Sequence, residues 1–199
     1  MATKKISELS AAAVLTGTEL LETSQSSGGT LGSVQTTTAA VAYAGAKYGS
    51  FYDVTDQTGS TSAATAVKFG TVDMNGHGVT VVTDGSALTR ITYAEAGTYM
   101  IAPNLQFKNS DTSDNDATIW LRKDGANVAN SATIITIPKA SDGGNAFFQI
   151  VFYVTVTAGQ YLQVMWLPEN AAVTIDYTAA GAIAPAVPSA IVVTERIAL

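Results

Sequence analysis

The 199-residue chain has no cysteine. Disulfides and thiolate metal sites are therefore excluded, and the redox compartment leaves no mark on the sequence. Charge is scarce too. Charged residues make up 13% of the chain, about half the usual quarter. The net charge is −6, from 10 basic and 16 acidic residues. Residues 1–48 are neutral, with Lys4, Lys5 and Lys47 against Glu8, Glu19 and Glu22, so the acidic excess lies in residues 49–199. No basic patch exists to follow a phosphate backbone, which argues against nucleic-acid binding. No apolar run approaches the roughly 18–20 residues of a membrane helix. The opening MATKKISELSAAAVL is broken by Ser7, Glu8 and Ser10, where a signal peptide needs an uninterrupted apolar core. The one histidine, His77, stands between Gly76 and Gly78. Neither an activated nucleophile nor metal-ligand spacing accompanies it, so it reads as a turn residue and not as a general base.

Hydrophobic residues make up 47% of the chain, ample for a core in one full-sized domain with a small appendage. With so few charges, the surface must be covered by Ser, Thr, Asn, Gly and Ala, or buried against partners. A subunit of a larger assembly fits this better than a monomer with an uncharged polar surface.

Two regions differ in texture. Residues 1–48 hold no Phe, Trp or Pro. Ile6, Leu9, Val14 and Leu15 mark a short apolar face, and Leu20 and Leu21 fall in a short strand over Glu19–Thr23. Ser26–Gly29 signals a turn, and TTTAAVAYAGA predicts a short helix over Thr36–Ala46, capped by Thr36 or Thr37. This is too little apolar mass to fold alone. These residues are expected to act as an anchor, ordered on a docking partner.

Residues 49–199 form the second region. Short β-rich runs are expected at Phe51–Val54, Thr65–Val72, Val79–Thr83, Leu88–Tyr93, Gly97–Lys108 and Thr118–Lys123. Further runs follow at Ala126–Ile137, Asn145–Val156, Tyr161–Leu167, Val173–Ala179 and Ser189–Ile197. Turns are expected at Asp84-Gly85, Asp124-Gly125 and Asp142-Gly143-Gly144, where positive φ is tolerated. The clearest unit is Thr118–Thr133, a strand, a tight turn and a returning strand. Many short strands with regular turns predict an all-β sandwich, barrel or jelly roll. Phe147, Phe148, Ile150, Phe152 and Val154 run without strict alternation, which predicts a strand buried on both faces. One face would meet the core and the other a neighbouring subunit. Phe147, Phe148, Phe152 and Val154, with Tyr161 and Trp166, are thus expected in the core and the trimer interface.

Asp111, Asp114 and Asp116 in the loop Asn109–Asp116 alternate oxygen ligands suited to a hard cation such as calcium. The spacing is not that of an EF-hand and the closing Glu is missing, so a solvated connecting loop is expected, with no metal and no cofactor. Trp120, Trp166, Tyr153 and Tyr161 are of the kind that lines sugar grooves, but their place in strand patterns favours core packing.

Residues 66–199 resemble the C1q/TNF-like jelly roll in the variant found in tailed-phage virion proteins. The carriers are Ile91–Tyr99 (ITYAEAGTY, an aromatic followed by Gly-x-Tyr), Thr118–Thr133, Ala158–Val164 and Pro188–Thr194. Gln160 stands where that family often has Asp. Residues 4–43 resemble a segment that attaches many phage structural proteins to the particle. The resemblance implies a homotrimer on the virion surface, a capsid decoration protein or head fibre held by residues 1–48 to a capsid or tail protein. The alternative is a tail-fibre adhesin whose head binds a host-surface glycan or protein through loops Asn109–Asp116 and Lys139–Asn145. A depolymerase comes third, and no membrane partner is expected.

Overall fold

The computed structural model describes residues 20–27, 30–37 and 45–199. The chain divides into two compact units, Met1–Ala46 and Lys47–Leu199. In the first, β1 (Leu20–Ser27) and β2 (Thr30–Thr37) pair antiparallel, with Leu20 opposite Thr37 and Ser27 opposite Thr30. The expected helix cap is thereby corrected: Thr36 and Thr37 close a strand ladder instead of opening a helix. Ile6, Leu9, Val14 and Leu15 lie outside the described residues, as do residues 38–44 of the expected helix. Leu20 and Leu21 begin β1.

The second unit is all-β. Its strands are β3 (Tyr48–Asp53), β4 (Gln57–Thr58), β5 (Thr65–Ala66), β6 (Thr71–His77), β7 (Val79–Asp84) and β8 (Ala87–Tyr93). They continue with β9 (Gly97–Asn109), β10 (Asn115–Lys123), β11 (Ala126–Asn127), β12 (Thr133–Ile137) and β13 (Asn145–Gln149). The last are β14 (Phe152–Val156), β15 (Tyr161–Pro168), β16 (Val173–Ile175) and β17 (Ala190–Ala198). Two antiparallel sheets result. The first runs β6-β3-β17-β9, with β14 and β13 on the far side of β9 and β16 continuing along β9 beyond β17. The second runs β7-β8-β15-β10, closed by β11 and β12 on β10. From β8 onward the chain repeatedly crosses between the sheets, which is the path of a jelly roll.

Alternation along the strands fills the space between the sheets. Ile91, Tyr93, Tyr99, Ile101, Leu105, Ile119, Leu121, Leu162, Val164 and Trp166 are all fully buried. The Tyr93 and Tyr99 rings tilt together at 4.3 Å, and Phe107 meets Trp166 at 5.8 Å, edge on. Thr194 Oγ1 donates to Met100 O (2.7 Å), so the buried Tyr93 hydroxyl donates to Thr194 Oγ1 at 3.2 Å. Burial pushes the Tyr93 hydroxyl far above the ordinary phenol range.

Three expectations change. The run Thr65–Val72 is not one strand. β5 pairs with β15 in the second sheet, β6 pairs with β3 in the first, and Val67 and Phe69 are buried where the chain crosses between them. Ala126–Ile137 is interrupted over residues 128–132, where Ser131 Oγ accepts from Leu121 N (3.0 Å) and donates to Val128 O (2.8 Å). The run Phe147–Val154 is two strands and is not buried on both faces. Phe148 and Val154 point into the core, Phe152 packs partly against it, and Phe147 and Tyr153 are 55% and 65% exposed. The reason lies on β9. Gln149 pairs with Asn104 and Phe152 with Ile101, so the break falls opposite Ala102-Pro103. Pro103 has no N–H to offer the ladder.

Turn chemistry agrees with the expected turns. Asp124 (φ 46°) and Gly125 (φ 82°) close β10 onto β11, as a hairpin with the twist of a primed turn requires. Gly97 begins β9 at φ 154°, where a Cβ would lie 2.7 Å from Ala198 O. Only glycine lets β9 and the end of β17 approach that closely.

Replacing Phe148 with Ala is expected to cost about 3–5 kcal/mol in urea unfolding, the usual range for a buried phenylalanine. A loss below about 1 kcal/mol would show that Phe148 does not face the core.

Candidate functional site

Three places invite a functional reading: the loop after β9 and the outward faces of the two sheets. The loop is a hydrogen-bonded knot tied by Asn109, which is buried. Asn109 Nδ2 donates to Ser113 O (2.9 Å) and Ile137 O (3.2 Å), while Asn109 Oδ1 accepts from Asp111 N (2.9 Å). Asp111 Oδ2 accepts from Asn115 Nδ2 (3.2 Å) and from Asn170 Nδ2 (2.8 Å), which reaches in from the turn after β15. Hydrogen bonds hold the Asp111 carboxyl below its usual pKa, that from Asn115 first and that from the Thr112 backbone N–H next. Asp114 Oδ1 accepts from Lys139 N (2.8 Å) and Asp116 Oδ1 from Thr136 Oγ1 (2.7 Å). The three carboxylates thus serve three separate sets of protein donors. Among the described residues no group of three or more acidic or histidine side chains gathers in the manner of a metal site. The loop joins its strands as expected, but it is pinned down, not merely solvated.

The outward face of the first sheet carries an apolar patch at its centre. On β9, Met100 and Ala102 stand beside Val193 and Glu195 of β17 in the register, and Tyr153 of β14 lies opposite Met100. Ile191 pairs with Tyr52 on β3, and Phe147 pairs with Gln106. Glu195 is charged, and the same face carries Asp73, which accepts from Ser50 Oγ at 2.8 Å, and the Lys108–Asp176 pair at 3.3 Å. Such a patch is unusual on a protein that keeps to itself. At one end of the sheet, Glu95 bridges Lys47 (2.8 Å) and Arg196 (2.9 Å), both cations being nearly buried. Their contact, Lys47's hydrogen bond first, holds the Glu95 carboxyl below its usual pKa.

The second sheet's outward face is charged too. Arg90 pairs with Asp84 at 2.8 Å and stacks over Tyr161 at 4.6 Å. Asp116, Thr118, Trp120 and Arg122 alternate outward along β10. Of the aromatics singled out, Trp166 belongs to the core, Tyr161 lies under Arg90, Tyr153 projects from the first sheet, and Trp120 lines an open groove with Asn127 and Asn130. Tyr161 and Trp166 therefore stand apart from the first sheet's outward face. That face includes Tyr52, Met100, Ala102, Tyr153, Ile191 and Val193, found only once strand register was known. His77 is the last residue of β6, with its ring 6.4 Å from that of Tyr48.

No protein-family profile and no curated protein matches the chain. Among solved structures, it is similar to murine APRIL crystallised at pH 8.5 (11% identity, TM-score 0.46) and at pH 8.0 (11%, 0.48). The pH 5.0 crystal gives 10% and 0.47. Each comparison covers 76% of this chain and 99% of the other. The jelly-roll assignment rests on the strand order given above.

The lowered Asp111 pKa carries a pH signature. A carboxyl depressed in the folded state adds stability above its unfolded value, near 4, and loses it as pH falls through the folded value. Asp111→Asn is therefore expected to melt below wild type at pH 7, with the gap narrowing under about pH 4. An equal gap at both pH values would mean that the Asp111 charge contributes nothing.

Proposed function

We propose that this chain is a non-enzymatic structural protein of a tailed-phage particle, a homotrimer whose jelly-roll heads associate through the outward face of the first sheet. Residues 1–48 attach the head to the particle. The observation that carries the reading is the apolar patch on the first sheet's outward face. Tyr153 (65% exposed) and Val193 (39%) project from it, while the Asp84–Arg90 pair, Asp116 and Arg122 project from the second sheet. Burying the patch formed by Met100, Tyr153, Ile191 and Val193 costs little desolvation, whereas burying Asp116 and Arg122 would strand ions. The scarcity of charge and the resemblance of residues 66–199 and 4–43 to phage virion proteins support the setting. The head follows residues 1–48 with no long shaft between them, which favours decoration or a head fibre. A tail-fibre adhesin is the second reading, favoured by the open groove at Trp120 on the face left free.

Gold labelling of virions with an antibody against residues 49–199 tests the setting. Label over the heads is the expected result. Label confined to the tail supports the adhesin, and particles without label contradict both readings. A protein of residues 47–199, the second compact unit, is expected to stay folded and to lose attachment to particles that lack the chain. Attachment equal to the full chain's would remove the anchor role from residues 1–48.

A further inference from the structure

Trp120 stands at the side of an open groove of about 310 Å³. The groove floor is apolar, formed by Trp120, Val128, Ala132 and Leu167, and its rim is polar, formed by Thr118, Asn127 and Asn130. A second depression of about 290 Å³ adjoins it, sharing Thr118 and Leu167 and adding Thr61, Asp116 and Glu169. Both open on the outward face of the second sheet, away from the proposed self-association surface.

The indole is held in place. Trp120 Nε1 donates to Asn127 Oδ1 at 2.9 Å, and Arg122 Nε donates to the same oxygen at 3.4 Å. With that oxygen occupied, Asn127 turns two N–H donors to its surroundings. Asn130 adopts φ 59°, and neither its amide nor the Thr118 hydroxyl has a hydrogen bond among the described residues. Asp116 uses Oδ1 for Thr136, and Glu169 uses Oε2 for Asp116 N, which leaves one oxygen of each carboxylate uncommitted. The site therefore combines a fixed aromatic plane, an apolar floor, and amide, hydroxyl and carboxylate groups with spare hydrogen-bonding capacity.

That combination matches one ligand chemistry. A pyranose has an apolar C–H face, weakly positive, which suits the negative face of an indole. Around it lies a ring of vicinal hydroxyls, each donor and acceptor, which planar amides and carboxylates meet two at a time. A purely apolar ligand would bury the rim groups without partners. An acidic ligand would face Asp116 and Glu169, the two ionisable groups that line the depressions. We propose that this groove binds a neutral oligosaccharide of about two or three pyranose units, one ring stacked on Trp120 and a neighbour hydrogen-bonded by Asp116 and Glu169. The site is contained in one chain, so it stands or falls separately from the particle assignment and from the trimer.

The test uses the full chain and a panel of neutral trisaccharides (malto-, cello-, chito-, manno-, galacto- and rhamno-series), with trigalacturonate as the acidic control. Of the two tryptophans Trp166 is fully buried, so tryptophan fluorescence reports on Trp120, and calorimetry gives the affinity. The expected result is saturable binding of at least one neutral member. Trp120→Ala should weaken it at least about tenfold and Trp120→Phe less. Asn130→Gly keeps the backbone turn and removes the amide, so it should weaken binding with an unchanged melting temperature. The proposal is overturned if no neutral member binds, if Trp120→Ala and Asn130→Gly bind like wild type, or if trigalacturonate alone binds.

Discussion

The architecture of the head depends on how one strand, β9, is shared. Its thirteen residues pair with β17 and then β16 along one edge, and with β14 and then β13 along the other. Antiparallel pairing puts directly opposed side chains on the same face. Once β9 places Tyr99, Ile101, Leu105 and Phe107 inward, the partners' inward residues are set. Val154, Phe152, Phe148, Val192 and Ala190 follow into the core, and Trp166 closes it from the opposite sheet. The same constraint sends Met100, Ala102, Tyr153 and Val193 outward together. The apolar patch on the outward face is therefore a consequence of the register that builds the core, and a one-residue slip of β9 would exchange the two sets.

The two outward faces then differ in what they can bind. A patch of aliphatic and aromatic side chains suits an apolar partner surface, and another copy of the same patch meets that condition. The second sheet pairs Asp84 with Arg90 and presents concave ground around Trp120. In the proposed arrangement one sheet serves assembly and the other a small polar ligand, so neither function blocks the other.

Much of this was legible in the sequence. Asp84-Gly85, Asp124-Gly125 and Asp142-Gly143-Gly144 mark turns because positive φ is a local property of one or two residues, and β9 is readable from Gly97 to within a residue of its end. Partner choice is not local. Val67 and Phe69 continue the alternation of a strand while the chain passes from one sheet to the other, since the pattern records burial and not which sheet supplies the hydrogen bonds. The run Phe147–Val154 reads as one strand because Pro103, which breaks it, lies more than forty residues earlier. For the same reason the loop knot is not legible in the sequence: Asn170 and Asp111 meet only in the fold, and a string of aspartates looks identical whether it binds a cation or a set of amides. The groove needs Leu167 of β15 beside Trp120 of β10, a juxtaposition set by the sheet.

The central claim is that the outward face of the first sheet is a contact between copies of this chain. Light scattering of the purified full chain and of its Val193→Asp variant tests it most directly. The account predicts a wild-type mass three times the 20.5 kDa of one chain, and a folded Val193→Asp protein of lower mass, because a carboxylate buried against a second apolar surface has no partner. A wild-type chain that stays monomeric across the concentration range, or a Val193→Asp variant that keeps the wild-type mass, would contradict it.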